Sequence, residues 1–215
     1  MRKPIIAIDG PAGSGKSTIA RLVAERLGYV YIDTGAMYRA VACKVIEKQI
    51  PMSDPEAIAA MARALDIRFD AQHHIFADAD DVTEAVRSAQ ATRLSSPVST
   101  IAGVRKRLVE LQRKMAEEGG VVMEGRDIGT VVFPDAEVKV FLTASAGERA
   151  KRRFLELQGK GVPADLDQIA AGIRERDLRD SSRKHAPLTQ APDAVLIDTD
   201  GMSIEQAVEA VIDQL

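Results

Sequence analysis

Asparagine is absent from the 215 residues. N-glycosylation therefore has no acceptor, and the N-K-x-D motif with which GTPase switches read guanine cannot be written. A single cysteine, Cys43, excludes an internal disulfide and a zinc site built from cysteines, and it is expected to be a small buried residue. Three histidines, His73, His74 and His185, are too few and too scattered to gather a metal. Basic residues are not in excess: 29 Lys and Arg stand against 32 Asp and Glu, so no nucleic-acid partner is expected. Long apolar runs are missing too. Near the start, four apolar residues at 5–8 precede Asp9, too few for a secretory leader or a membrane span, which predicts a cytoplasmic protein without membrane contact. What is present is ordinary globular material, 46% hydrophobic and 28% charged, enough to bury a core in one folded unit.

Short apolar runs alternate with amphipathic stretches. Residues 4–8, 29–33, 121–124, 138–142 and 194–198 have the apolar continuity of strands buried on both faces. Between the first two, 16–27 places Ile19, Leu22, Val23 and Leu27 at helical spacing, with Gly28 positioned to end the helix. A second helix is predicted over 37–48, and Asp54 with Pro55 opens a third. Ser145-x-x-Glu148 and Ser203-x-x-Gln206 have capping-box spacing. The order predicts an α/β fold, a three-layer sandwich around a central five-stranded parallel sheet. Residues 67–70 and 74–82 break the alternation as two strand-like runs joined at Ala71, Gln72 and His73. A small antiparallel insertion is therefore expected over about 64–98, on a single unit 1–215 whose core comprises about 1–63 and 99–215. The Gly- and Lys-containing loop at 158–163 is expected to belong to a short lid over about 150–165.

Gly10, Pro11, Ala12, Gly13, Ser14, Gly15, Lys16 and Ser17 match G-x-x-x-x-G-K-[ST], followed by Thr18. A strand precedes the motif and an amphipathic helix follows it, the context that a phosphate loop requires. Glycines let backbone N–H groups curl round an anion, and the helix N-terminus adds its positive end. Lys16 would reach the β- and γ-phosphates of ATP, and the Ser17 hydroxyl would ligate Mg2+. The apolar run 121–123 delivers Glu124 to the sheet edge as a carboxylate for the metal or its water; Asp33, at the tip of the second strand, competes for that role.

Without the guanine-reading motif, and with a chain short for a motor, a small-molecule kinase remains, and it needs a second anion site. In the late helix, Ile169 and Ile173 continue at helical spacing into Arg176, Asp180 and Arg183, a face that passes from core into charge. A solvated ladder of i,i+4 ion pairs is the competing reading of that spacing. Arg126 and Asp127 lie just past the proposed metal residue, after Gly125. Arg105 lies beside the apolar seam of Ile101, Val104, Leu108, Leu111 and Met115, and on its own would be a surface residue. Arg149, Arg152 and Arg153 lead into the lid, where guanidinium charge would stabilise a transferring phosphoryl group.

Taken together, the phosphate loop, Asp33-Thr-Gly-Ala-Met-Tyr-Arg39, Glu124-Gly-Arg-Asp-Ile-Gly-Thr-Val-Val-Phe-Pro134 and Arg176-Asp-x-x-Asp180-x-x-Arg183 resemble the bacterial cytidylate kinases. The resemblance runs from about residue 4 to the C-terminus and includes the insertion, which is similar to that family's enlarged nucleoside-monophosphate-binding domain. It implies transfer of the ATP γ-phosphoryl group to CMP or dCMP, giving CDP or dCDP in pyrimidine metabolism, by a monomeric enzyme. By motif it assigns Thr34, Arg105 and Asp127 to cytosine, Ser96, Arg176 and Asp180 to the ribose, and Arg39, Arg126 and Arg183 to the acceptor phosphate. Lys16, Arg126, Arg152 and Arg183 are the expected catalytic cations, and Ser17 with Glu124 the expected metal ligands. Some relatives carry Ser at the position of Thr34, which preserves the hydroxyl. Two other readings stay open: a kinase of UMP, TMP or a small metabolite such as shikimate, and a nucleotide-binding regulator without turnover.

Overall fold

The computed structural model describes residues 2–70, 72–183 and 186–215; Ala71 of the expected turn and His185 lie outside them. In chain order the elements are β1 (Lys3–Asp9), α1 (Lys16–Leu27), β2 (Val30–Asp33), α2 (Thr34–Glu47), α3 (Pro55–Ala64), β3 (Ile67–Phe69), β4 (Ile75–Ala77) and β5 (Asp80–Asp81). There follow α4 (Ala89–Val98), α5 (Ala102–Met115), β6 (Gly119–Gly125), β7 (Val138–Thr143), α6 (Ala146–Gly159), α7 (Leu166–Ser181), β8 (Val195–Asp198) and α8 (Ile204–Ile212). A π-type turn covers Ile128–Val132. Contacts divide the chain into two units, residues 1–31 with 119–215, and residues 32–118.

The predicted five-stranded sheet is present, ordered β2-β6-β1-β7-β8, with β1 parallel to β6 and β7, and β7 parallel to β8. Its inner strands β1, β6 and β7 read as apolar runs because they are buried. In the first unit Ile6, Ile8, Val122, Val140 and Leu142 meet Ile19, Val23, Val208 and Val211 from the flanking helices. Gly28 ends α1 in the left-handed conformation, and the Tyr29 N–H closes back on the Ala24 carbonyl. Ser203 and Gln206 form the full reciprocal capping box of α8. Ser145 makes half of one. Its hydroxyl accepts from Glu148 N–H, but its own N–H is taken by Asp200, which leaves the Glu148 carboxylate to Arg152.

In the second unit α2 packs on α4 and β4, and α3 packs on α5. The second helix begins three residues before its predicted start, because the Asp33 carboxylate accepts from Ala36 N–H at 2.8 Å and caps it. The run 74–82 is two strands, not one. Asp78 turns the chain with φ of 57° between β4 and β5, completing a small antiparallel sheet ordered β3-β4-β5. The helix α4 was not foreseen and occupies the end of the stretch read as antiparallel. Cys43 is half-buried on α2 rather than fully enclosed, and burial pushes its thiol pKa up. Among the described residues no helix is long and apolar enough to cross a membrane.

Candidate active site

Strand β1 ends at Asp9, and the chain turns at once into the phosphate loop. The turn demands glycine: Gly10 has φ of 149°, and a Cβ there would lie 1.9 Å from the Leu142 carbonyl oxygen on β7. Gly13 and Gly15 also have positive φ, 79° and 92°, which brings successive N–H groups round toward the start of α1. Lys16 is buried at the first turn of that helix, and its Nζ donates to the Pro11 carbonyl at 2.7 Å. Ser14 donates to the same carbonyl at 3.1 Å. Ser17 and Thr18 stay exposed on the helix start.

Arginines from α6 brace this loop. Arg149, buried, donates to the carbonyls of Ala144 and Ala12 and forks onto both oxygens of Asp177 in α7, at 3.1 and 2.6 Å. It is thus built into the loop's support. Arg152 donates to the hydroxyl and carbonyl of Thr199 beyond β8, and its Nη1 would be 3.9 Å from a Cβ on Gly15. Arg153 is the solvated member, paired with Glu156.

Two acids lie on the other side. Asp9, 5% exposed, accepts from the N–H groups of Ile128 and Gly129 at 2.8 and 2.7 Å. Burial is the main cause that pushes its pKa up to about 6, partly offset by those two hydrogen bonds. Glu124, buried at the end of β6, accepts from the Tyr31 hydroxyl at 3.1 Å. The Lys16 ammonium is pushed down to about 7, first by burial and then by the charge of Arg126; Arg176 acts in the same direction, while Glu124 and Asp9 oppose it. The loop lysine therefore feels the two arginines that the motifs place on the acceptor side.

Those arginines share one carboxylate. Asp180, buried on α7, receives Arg126 Nε at 2.9 Å, Arg183 Nη2 at 3.2 Å and Arg176 Nε at 3.9 Å. The face that turns from apolar to charged is a convergent cluster, in which three guanidiniums surround one buried acid. Asp127 is buried beside Arg126 at the end of β6.

The remaining predicted residues lie in the second unit. Thr34 is buried as the first residue of α2, and Arg39, one turn on, pairs with Asp33 at 2.8 Å. Arg105 is not the surface residue its spacing suggests: it is 6% exposed on α5, its guanidinium 5.9 Å from the Tyr38 ring centroid. Ser96 is half-buried on α4, next to Pro97 inside the helix.

Sequence reasoning missed Asp9, Tyr31 and Asp177 and did not foresee the part played by Arg149. Asp9 carries a signal in retrospect, an acid closing an otherwise apolar strand immediately before the glycine loop. Tyr31 carries none, because its role depends on a partner 93 residues away, and Asp177, although it stands in the Arg176-Asp-x-x-Asp180 motif, gives no sign there of its partner Arg149, 28 residues away.

Residues 6–215 match the profile of the cytidylate kinase family. The chain is 52% identical to the cytidylate kinase of Syntrophotalea carbinolica over 98% of its own length and 91% of that protein. It is 49% identical to the cytidylate kinase of Caldicellulosiruptor bescii, over 99% and 96%. The crystal structure of a shikimate kinase from Bacteroides thetaiotaomicron superposes with a TM-score of 0.51 at 17% identity, covering 98% of this chain and 97% of that one, a likeness of fold. With the phosphate loop, the Asp180 cluster and this extent of similarity in place, the chain belongs to the cytidylate kinase family.

Proposed function

We propose that this protein transfers the γ-phosphoryl group of ATP to CMP or dCMP, yielding ADP and CDP or dCDP for pyrimidine nucleotide metabolism in the cytoplasm, as a monomer that binds neither nucleic acid nor membrane. The observation that supports the reading is Asp180 with three arginines around it, two of which, Arg126 and Arg176, act electrostatically on Lys16 of the phosphate loop, as a second anion site would require. Residues 10–18 would cradle the ATP phosphates. Thr34, Arg105 and Asp127 would read cytosine, the carboxylate taking the exocyclic amino group and the guanidinium the ring acceptors. Ser96, Arg176 and Asp180 would hold the ribose, and Arg39, Arg126 and Arg183 the acceptor phosphate. The insertion over about 64–98 would serve the acceptor nucleotide and the segment over about 150–165 would close as a lid.

Phosphoryl transfer asks for position and charge neutralisation more than for covalent chemistry, so no general base is assigned. Lys16, Arg126, Arg152 and Arg183 stabilise the transferring group, and exclusion of water suppresses ATP hydrolysis. The oxygen donors of Ser17 and buried Glu124 fit magnesium, whose charge would neutralise the β- and γ-phosphate oxygens. Asp33 is the poorer candidate, since its carboxylate already caps α2 and pairs with Arg39.

The test is an ADP-release assay with Mg·ATP and CMP, dCMP, UMP, AMP, GMP, TMP or shikimate. Turnover confined to CMP and dCMP is expected, with a loss of about 10²-fold or more in Lys16→Ala. Preference for UMP, TMP or shikimate would overturn the choice of acceptor, and ATP binding without turnover on any of them would make the protein a regulator.

A further inference from the structure

Asp9 has a place in the site that the phosphate-loop motif does not require, since that motif begins at Gly10. Its backbone is held on both sides, in register with Gly125 of β6 and Phe141 of β7. Its side chain reaches past the end of β6 and gives one oxygen to Ile128 N–H and the other to Gly129 N–H. Those two groups open the π-type turn Ile128–Val132, where N–H groups lack partners inside the helix and a carboxylate is favoured. The two residues left between these anchor points are Arg126 and Asp127. Asp9 therefore grips both ends of that step, Gly125 through strand pairing and Ile128 through its carboxylate, while its next neighbour starts the phosphate loop.

A further observation fits this grip. A buried carboxylate at the end of an apolar strand is costly to keep, so its two short hydrogen bonds need a use. Both oxygens are committed to backbone donors and the residue is buried, so it is not placed to touch a nucleotide.

We infer that Asp9 is a positioning residue, which sets the Arg126–Asp127 step at a fixed height above the phosphate loop and so acts on acceptor recognition rather than on ATP. The inference rests on the kinase reading given above. Asp9→Asn keeps the size but can accept only one of the two N–H groups. It should lower kcat/KM for CMP by about 10- to 100-fold through a raised KM for CMP, while KM for ATP stays within about twofold. Equal increases in both KM values, or no change in either, would overturn it.

Amide hydrogen exchange supplies a readout independent of turnover. Ile128 and Gly129 should be protected in the wild-type protein and exchange at least about 10-fold faster in Asp9→Asn. Free exchange of either amide in the wild type would sink the inference, even if the variant fails to fold. Should the wild-type protein not phosphorylate CMP, the kinase reading fails in its own assay, and protection of these two amides still decides whether Asp9 holds the step.

Discussion

Two buried ionisable side chains at the phosphate loop are displaced in opposite directions, and each leaves a mark on stability. Lys16 falls from 10.5 to about 7 in the folded protein. Between those values the unfolded chain binds the proton and the folded one does not, so this group makes stability rise with pH across that window. Asp9 rises from 3.8 to about 6, so between those values the folded chain holds the proton and stability falls as pH increases. The nucleotide-free protein should therefore show a dip in urea midpoint near pH 6–7. Asp9→Asn should flatten the acidic limb and Lys16→Met the alkaline one; limbs unchanged in both variants would show that other groups set the profile.

At the level of elements, α5 lies so close to α3 that Gly103 has no room for a side chain: a Cβ would sit 2.6 Å from that of Ala59. Replacing glycine by alanine inside a helix is ordinarily worth up to about 1 kcal/mol. Overpacking against a rigid neighbour costs about 1–3 kcal/mol, so Gly103→Ala should lose about 1 kcal/mol net in a urea titration. A gain would mean that the two helices separate freely. The same sort of proximity explains what could be read from sequence and what could not. The inner strands β1, β6 and β7 were legible because burial leaves them apolar, β8 by its apolar run although Val195 and Leu196 are exposed, and the phosphate loop because its glycines serve backbone geometry within one turn. Helix α4 was hidden: it lies in a polar run that follows two strand-like stretches, and its buried face is small, Ala91, Ser95 and Val98. The early start of α2 depended on an acid that also ends a strand and could equally have been a metal ligand. The spacing of Arg105 taken alone suggests the surface, because charge at the edge of a helical seam usually lies there, whereas here the guanidinium is enclosed near Tyr38.

Stability is unevenly distributed over the molecule. Arg149 and Ala150 are the buried residues of α6, and Asp180 that of α7, whereas β1 is buried from Ile5 through Asp9. The Arg149–Asp177 fork joins the two helices, and Arg149 also donates to the Ala12 carbonyl of the phosphate loop. Amides between 152 and 178 should exchange at least about 100-fold faster than those of β1 and β6, and Asp177→Asn should speed them further. Exchange as slow as that of β1 would rule out this segment as a mobile cover. Over evolutionary time the Asp180 cluster has a different kind of consequence. Three cations that share one anion are not free to drift singly, because each replacement changes the charge balance left to the others. Lineages that adopt a new acceptor would have to alter several of these positions in a permitted order, and the worth of any one change would depend on which had come before it.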